Sequence, residues 1–185
     1  MKTLKLKIFE VLSNITSIQN FEKWLYEEPK IINAVGSDDL IYDIMTIDYS
    51  DKNSFSELEK LAFDHYSYEE FLAFAIEKYC VKILNATKAN TVFGLIYLIN
   101  RFFNYKTEYA LLWDFYELFD LIDLVEYGHM KEKSAIKSIK KIASGIVESF
   151  EQAIHLDEKV ELLKAGHRIQ HTTNDNARKW YKLWK

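Results

Sequence analysis

The sequence predicts an all-α protein, a single bundle of about eight to ten helices spanning residues 1–185. Three observations carry this. Apolar residues recur at helical spacing in almost every segment. With one Pro and five Gly in 185 residues, the chain has too few breakers for the many tight turns of an all-β protein. The stretches between the periodic segments are short, as in helix bundles. Length suits one well-buried core. At 49% hydrophobic and 28% charged residues, the composition is that of a globular chain and not a disordered one.

The elements follow in order. KIFEVLSN opens with a short apolar helix. Ile18, Phe21 and Leu25 then fall at i, i+3 and i+7 behind a Ser17 cap, and Pro29 suits the first turn of a further helix after a break near Glu28. Ser37 is expected to cap the next helix, with Ile41, Ile44 and Met45 on one face. Ser54 with Glu57 reads as a capping box for a helix holding Phe55, Leu58, Leu61 and Ala62. Leu72, Ala75, Ile76, Tyr79, Cys80, Ile83 and Leu84 form the clearest stripe, behind Ser67 and Glu70. Val92, Ile96, Ile99 and Phe103 make another, after Thr91. Leu111, Phe115, Leu118, Ile122 and Val125 make a third, and Ile139, Ile142, Ala143, Ile146, Val147, Phe150, Ala153 and Ile154 a fourth. Residues 166–176, GHRIQHTTNDN, read as a polar loop. A C-terminal helix over 177–185 follows, carrying Trp180, Leu183 and Trp184 among Arg178, Lys179, Lys182 and Lys185. It is expected to fold back and place its tryptophans in the core, as apolar stripes generally do.

Several function classes fall away. No run approaches the ~18 apolar residues of a membrane span, and Glu10 and Asn14 interrupt any signal-type apolar region after Lys2, Lys5 and Lys7. The expectation is a soluble cytoplasmic protein with no membrane partner. Cys80 is the only cysteine, so neither an internal disulfide nor a cysteine metal cluster can form. Its place on an apolar stripe marks an inert core thiol, since a nucleophile needs exposure and a lowered pKa. The five glycines are isolated, leaving no phosphate-cradling loop. His167 and His171 are four apart, but Arg168 stands where a metalloprotease helix carries Glu. Arg168 and His171 are also too closely spaced for an all-helical ribonuclease of the HEPN type. His65, His129 and His155 sit near helix ends, ordinary places for a solvated His. A di-iron bundle needs Glu-x-x-His on two helices, and the chain does not supply two. No catalytic residue, metal site or cofactor is expected, and the chain is read as a non-enzyme.

The net charge of −4 is unevenly placed. Residues 1–130 hold 21 acids and 12 bases (−9), and residues 131–185 hold 7 acids and 12 bases (+5). The acidic part disfavours nucleic acid as a partner and suits a basic protein. One stretch concentrates this chemistry. In TEYALLWDFYELFDLIDLVEYGHM, acids recur every three residues at Asp114, Glu117, Asp120, Asp123 and Glu126. At 100° per residue, Glu117, Asp120 and Asp123 point away from the core stripe, with Trp113, Tyr116 and Leu124 among them. Trp113, Tyr116, Glu117, Asp120 and Asp123 are therefore the candidate partner-binding residues. The plainer reading is a solvated face whose aromatics pack on a neighbouring helix. A homodimer through the aromatic-rich helices is the other association considered.

KIFEVLSN, NFEKWLYEEPKI and DDLIYDIMTIDYSDKN together resemble the opening of a group of small immunity proteins of bacterial polymorphic toxin systems. The resemblance rests on Ile8, Phe9, Leu12, Phe21, Glu22, Trp24, Leu25, Tyr26, Leu40, Tyr42, Ile44, Ile47 and Tyr49, and covers about the first 55 of 185 residues. Ile44–Met45 stands where the pattern has Leu-Ile. These positions look structural, and no functional residue is carried over. The resemblance implies a protein that binds a cognate toxin domain and occludes its active site without chemistry of its own. The charge adds that the toxin is basic. A helical adaptor unrelated to toxins is the alternative, and a helical nuclease a more remote one. In either case Phe21, Leu25 and Trp24 are read as the device that docks their helix on its neighbours, with Tyr26 at the boundary.

Overall fold

A computed structural model describes residues 2–103 and 108–166. The expected C-terminal helix over 177–185, the loop before it beyond Gly166, and the pairs formed by His167, Arg168 and His171 lie outside the described residues. The fold is all-α, with ten helices and no strand among the described residues. The chain divides into two compact units, Met1–Ala75 and Ile76–Lys185.

The first unit holds α1 (Lys2–Leu12), α2 (Ile18–Glu27), α3 (Pro29–Ile32), α4 (Asp39–Met45), α5 (Ser54–His65) and the start of α6 (Tyr68–Asn85). α1 packs on α2 and α5, α2 on α3, and α4 on α5. Phe9 is fully buried and organises an aromatic cluster. Its ring meets Tyr66 edge-on at 6.0 Å and Phe71 at 5.5 Å, with Phe74 tilted at 5.8 Å. Burying one such ring contributes about 1.5–3 kcal/mol, and edge-to-face pairs add to that. Lys5 pairs with Glu70, while its ammonium lies 5.8 Å from the Phe9 ring centre and 5.5 Å from that of Tyr66. In α2, Phe21 and Leu25 are buried as the stripe requires. Trp24 is half-buried, with its ring 5.8 Å from Phe21. Tyr26 is exposed, and its hydroxyl donates to the Met45 carbonyl at 3.3 Å. Tyr49 is buried and donates to the Ile44 carbonyl at 2.9 Å.

The Ser17 cap is present, accepting from the Asn20 amide at 3.2 Å. Pro29 opens α3, behind Glu28. Two other expected caps move by one residue. α4 is capped by Asp38, whose Oδ1 accepts from the Ile41 amide at 3.1 Å, while the Ser37 hydroxyl donates back to Ala34. A carboxylate at the positive end of a helix has the advantage over a neutral hydroxyl. α5 begins behind Asn53, which makes no side-chain capping bond, and Ser54 is a buried residue inside the helix. The preceding turn is closed instead by Asp51, which accepts from the Asn53 amide at 2.7 Å.

The second unit holds the rest of α6, then α7 (Ala89–Asn100), α8 (Ala110–Glu126), α9 (Glu132–Gln152) and α10 (Leu156–Ala165). α8 packs on α7, α9 and α10, and α9 also packs on α7 and α10. Leu111, Phe115, Leu118 and Ile122 of α8 are buried together with Val92, Ile96 and Ile99 of α7 and Ile139, Ala143, Ile146 and Phe150 of α9. Cys80 is buried, and that burial raises its thiol pKa, with Glu77 adding to the effect. The α6 terminus is closed by a side chain: Lys140 of α9 donates to the Leu84 and Ala86 carbonyls at 2.9 and 2.7 Å. This is the favourable place for a cation on a helix.

Three expectations fail at helix ends here. α7 starts at Ala89, ahead of Thr91, and stops at Asn100, so Phe103 lies beyond the helix. α9 stops at Gln152, leaving Ala153 as its cap and Ile154 84% exposed. Each apolar period runs on past the residue where the backbone turns away. After α8, Gly128 has φ 73°, and the amides of His129 and Met130 both return to the Leu124 carbonyl. Glycine tolerates that left-handed backbone.

Candidate partner-binding face

α8 is amphipathic in an unusual way. Its buried stripe runs through Leu111, Phe115, Leu118 and Ile122. On the opposite side, 100° per residue lines up Trp113, Tyr116, Glu117, Asp120, Asp123, Leu124 and Tyr127. Trp113, Leu124 and Tyr127 are exposed, by 39%, 38% and 76%. Glu117 and Asp120 are exposed, and Asp123 and Tyr116 half-buried. All five candidate residues therefore share one face of one helix.

The aromatics have support from outside the helix. Phe103 stacks on Tyr116 with ring centres 4.5 Å apart and planes 19° apart. It also meets Trp113 edge-on at 4.8 Å, and Trp113 and Tyr116 lie 6.2 Å apart. Tyr97 of α7 extends the surface. Its ring stands edge-on to Phe119 at 4.9 Å, and its hydroxyl reaches toward Glu126 at 3.5 Å. Both rings thus pack on Phe103, as the plainer reading has it, while Trp113 is still 39% exposed. Sequence reasoning left out Phe103, Tyr97 and Tyr127. Tyr127 was within reach, since it follows Asp120 and Leu124 on the same period. Phe103 and Tyr97 required tertiary contacts.

No base pairs with Glu117, Asp120 or Asp123 among the described residues. The Asp120 carboxyl is held above its ordinary value, first by partial loss of solvent and then by the negative charge of Asp123. The Tyr97 phenol is likewise raised, by loss of solvent and then by Glu126 and Asp123. Asp120, Asp123 and Glu126 also occupy the last two turns of α8, which carry no basic residue. Acids there oppose the negative end of the helix dipole, and acids three apart repel. Stability alone would favour lysine at these positions.

The rest of the second unit offers little chemistry. A cavity of about 90 Å³ is lined by Leu111, Ile146, Ser149, Phe150, Leu162 and Gly166. The Ser149 hydroxyl is already donated to the Gly145 carbonyl at 2.8 Å. One Glu-x-x-His pair does occur, Glu126 and His129 at the end of α8, but no group of three His, Cys, Asp or Glu suited to a metal ion exists among the described residues. No helix among them is long and apolar enough to cross a membrane. Comparisons with family models, with curated proteins and with solved structures find no match for this chain.

Proposed function

We propose that this chain works by binding a basic protein through the outer face of α8, and that the partner is a toxin domain whose active site it occludes without chemistry of its own. The supporting observation is the juxtaposition of three carboxylates, none paired with a base among the described residues, with an exposed, externally braced tryptophan. Carboxylates steer a cationic surface into register and speed its arrival. A large, part-exposed ring supplies the contact around which binding energy concentrates once it is desolvated. An interface of about 800 Å² per partner is of ordinary size for such a complex. The toxin half of the proposal comes from the N-terminal resemblance, and the basic half from the charge.

The test is to read the gene adjacent to this chain's and, where it encodes a toxin-like domain, to co-express that domain with this chain. Survival of cells that the domain alone kills, together with co-purification of the two chains, is the expected result. Equal killing with and without this chain would end the toxin reading. Capture of basic proteins other than toxins by the same face would favour a helical adaptor.

A further inference from the structure

The outward face of α9 carries the opposite charge to that of α8. Between Lys131 and Val147 the chain holds five lysines against one acid, Glu132. The buried stripe of α9 runs through Ala135, Ile139, Ala143 and Ile146. Lys133, Lys137 and Lys141, each four residues from the next, line the side away from it. All three are exposed, and no acid pairs with them among the described residues. Lys140 is engaged with the Leu84 and Ala86 carbonyls. Lys88, two residues beyond Ala86, is exposed and adds a cation at this edge of the helix.

The order of charge along α9 also opposes its dipole. Lys131 and Lys133 stand at the positive end of the helix, and Glu148 and Glu151 toward the negative end, whose last turn holds no base. Stability alone would favour the reverse order. We propose that this face of α9 lies along the phosphate backbone of a duplex nucleic acid, without reading its sequence.

The residue types select that partner over the other anionic surfaces. From Lys131 to Lys141 the exposed positions hold only lysine, serine and Glu132. A protein interface centres on aromatic residues, Met and Arg and is depleted in Lys and Ser. A helix lying on a bilayer needs apolar side chains to insert. A single strand needs rings on which its bases stack. The exposed α9 positions supply none of these. Lysine and serine are ordinary donors to phosphate oxygens, and Ser134 and Ser138 sit between the lysines. Spacing agrees. From Lys133 to Lys141 the helix rises about 12 Å at 1.5 Å per residue. One strand of a duplex carries a charge about every 3.4 Å along its axis, so the stripe faces roughly three or four phosphates. The acid excess that speaks against nucleic acid belongs to residues 1–130, ahead of this helix.

The test titrates the full chain into labelled mixed-sequence duplex DNA. Duplex RNA, a single strand and phosphatidylserine-containing vesicles serve as parallel probes. The expected dissociation constant for a duplex is of order 10⁻⁵ M near physiological salt, whatever the sequence. K133Q/K137Q/K141Q should flatten the slope of log affinity against log salt by about 2.7, at about 0.9 per lysine. K133R/K137R/K141R should keep the parent slope. Residues 167–185 carry five further cations, so the readout is the difference between parent and variant. Should the glutamine variant lose its helical signal, K137Q alone should lower the slope by about 0.9. Binding to either duplex supports the proposal, and the DNA and RNA arms say which duplex is preferred. A slope unchanged in the folded glutamine variant, or tighter binding to the single strand or the vesicles, overturns it. Absence of duplex binding overturns it too, and leaves an acidic protein as the occupant. No toxin domain is present in these measurements, so their result stands apart from the reading of α8.

Discussion

Phe103 and Tyr116 stack with their ring centres 4.5 Å apart, although Phe103 lies beyond the end of α7 and Tyr116 in the middle of α8. The contact fixes one edge of the Tyr116 ring and, through the edge-on contact of Phe103 with Trp113, steadies the exposed indole. A held ring loses less rotational freedom on binding than a loose one. Truncating Trp113 to Ala should therefore cost a partner about 2 kcal/mol or more of affinity. F103A should cost less, about 1 kcal/mol, through loss of that bracing. Calorimetric titration with the proposed toxin domain gives both numbers. An F103A chain that is folded and binds at full strength would remove the bracing role.

Charge reversal of the same face has a different signature. E117K/D120K/D123K should slow association and flatten its dependence on salt, with helix content unchanged by circular dichroism. Unaltered affinity and salt dependence would take this face out of consideration.

Asp120 allows a pH test of the cost of that face. Its carboxyl titrates above its ordinary value because partial loss of solvent, and then the charge of Asp123, disfavour the charged form. The sign follows: ionised Asp120 weakens the fold at neutral pH, and the penalty fades as pH falls through the raised value. D120N should accordingly raise the urea midpoint at pH 7, with the gain shrinking toward pH 3. A gain equal at both pH values would show that charge is not its source.

Gly166 closes α10 with φ 72° and ψ 157°, a backbone region that non-glycine residues avoid. The Ala110 Cβ would also lie 2.9 Å from any Cβ at this position. G166A should thus destabilise the chain by about 3 kcal/mol, combining backbone strain with overpacking. Thermal or urea unfolding measures it, and a loss under half a kcal/mol would mean that α10 shifts freely on α8.

Lys159 reaches both oxygens of Glu77, at 2.8 and 2.7 Å, with its ammonium 5.8 Å from the Phe150 ring centre. Both side chains are largely covered. E77Q removes the counter-charge and should cost about 2 kcal/mol in urea unfolding at low salt. A neutral outcome would indicate that water replaces the carboxylate at no cost.

What could be read without the structure was whatever depends on near neighbours in the chain. The helical period of Leu72 to Ile83 follows from 3.6 residues per turn, and the α8 face follows from the same rule, since positions three and four apart meet wherever the helix lies. Ser17 and Pro29 announced their helix starts for local reasons. Ser37 and Asp38 are both able caps, as are Asn53 and Ser54, and choosing between them takes the actual turn of the backbone. Phe103 extends the α7 period on paper, yet it packs on Tyr116 and Trp113 of α8, because the chain leaves the helix at Asn100. Whether Trp113 is covered or open is set by which helices crowd α8, a property of packing over long separations that periodicity does not encode. The types of surface were thus written locally in the sequence, and their bracing and exposure were decided by how the helices came together.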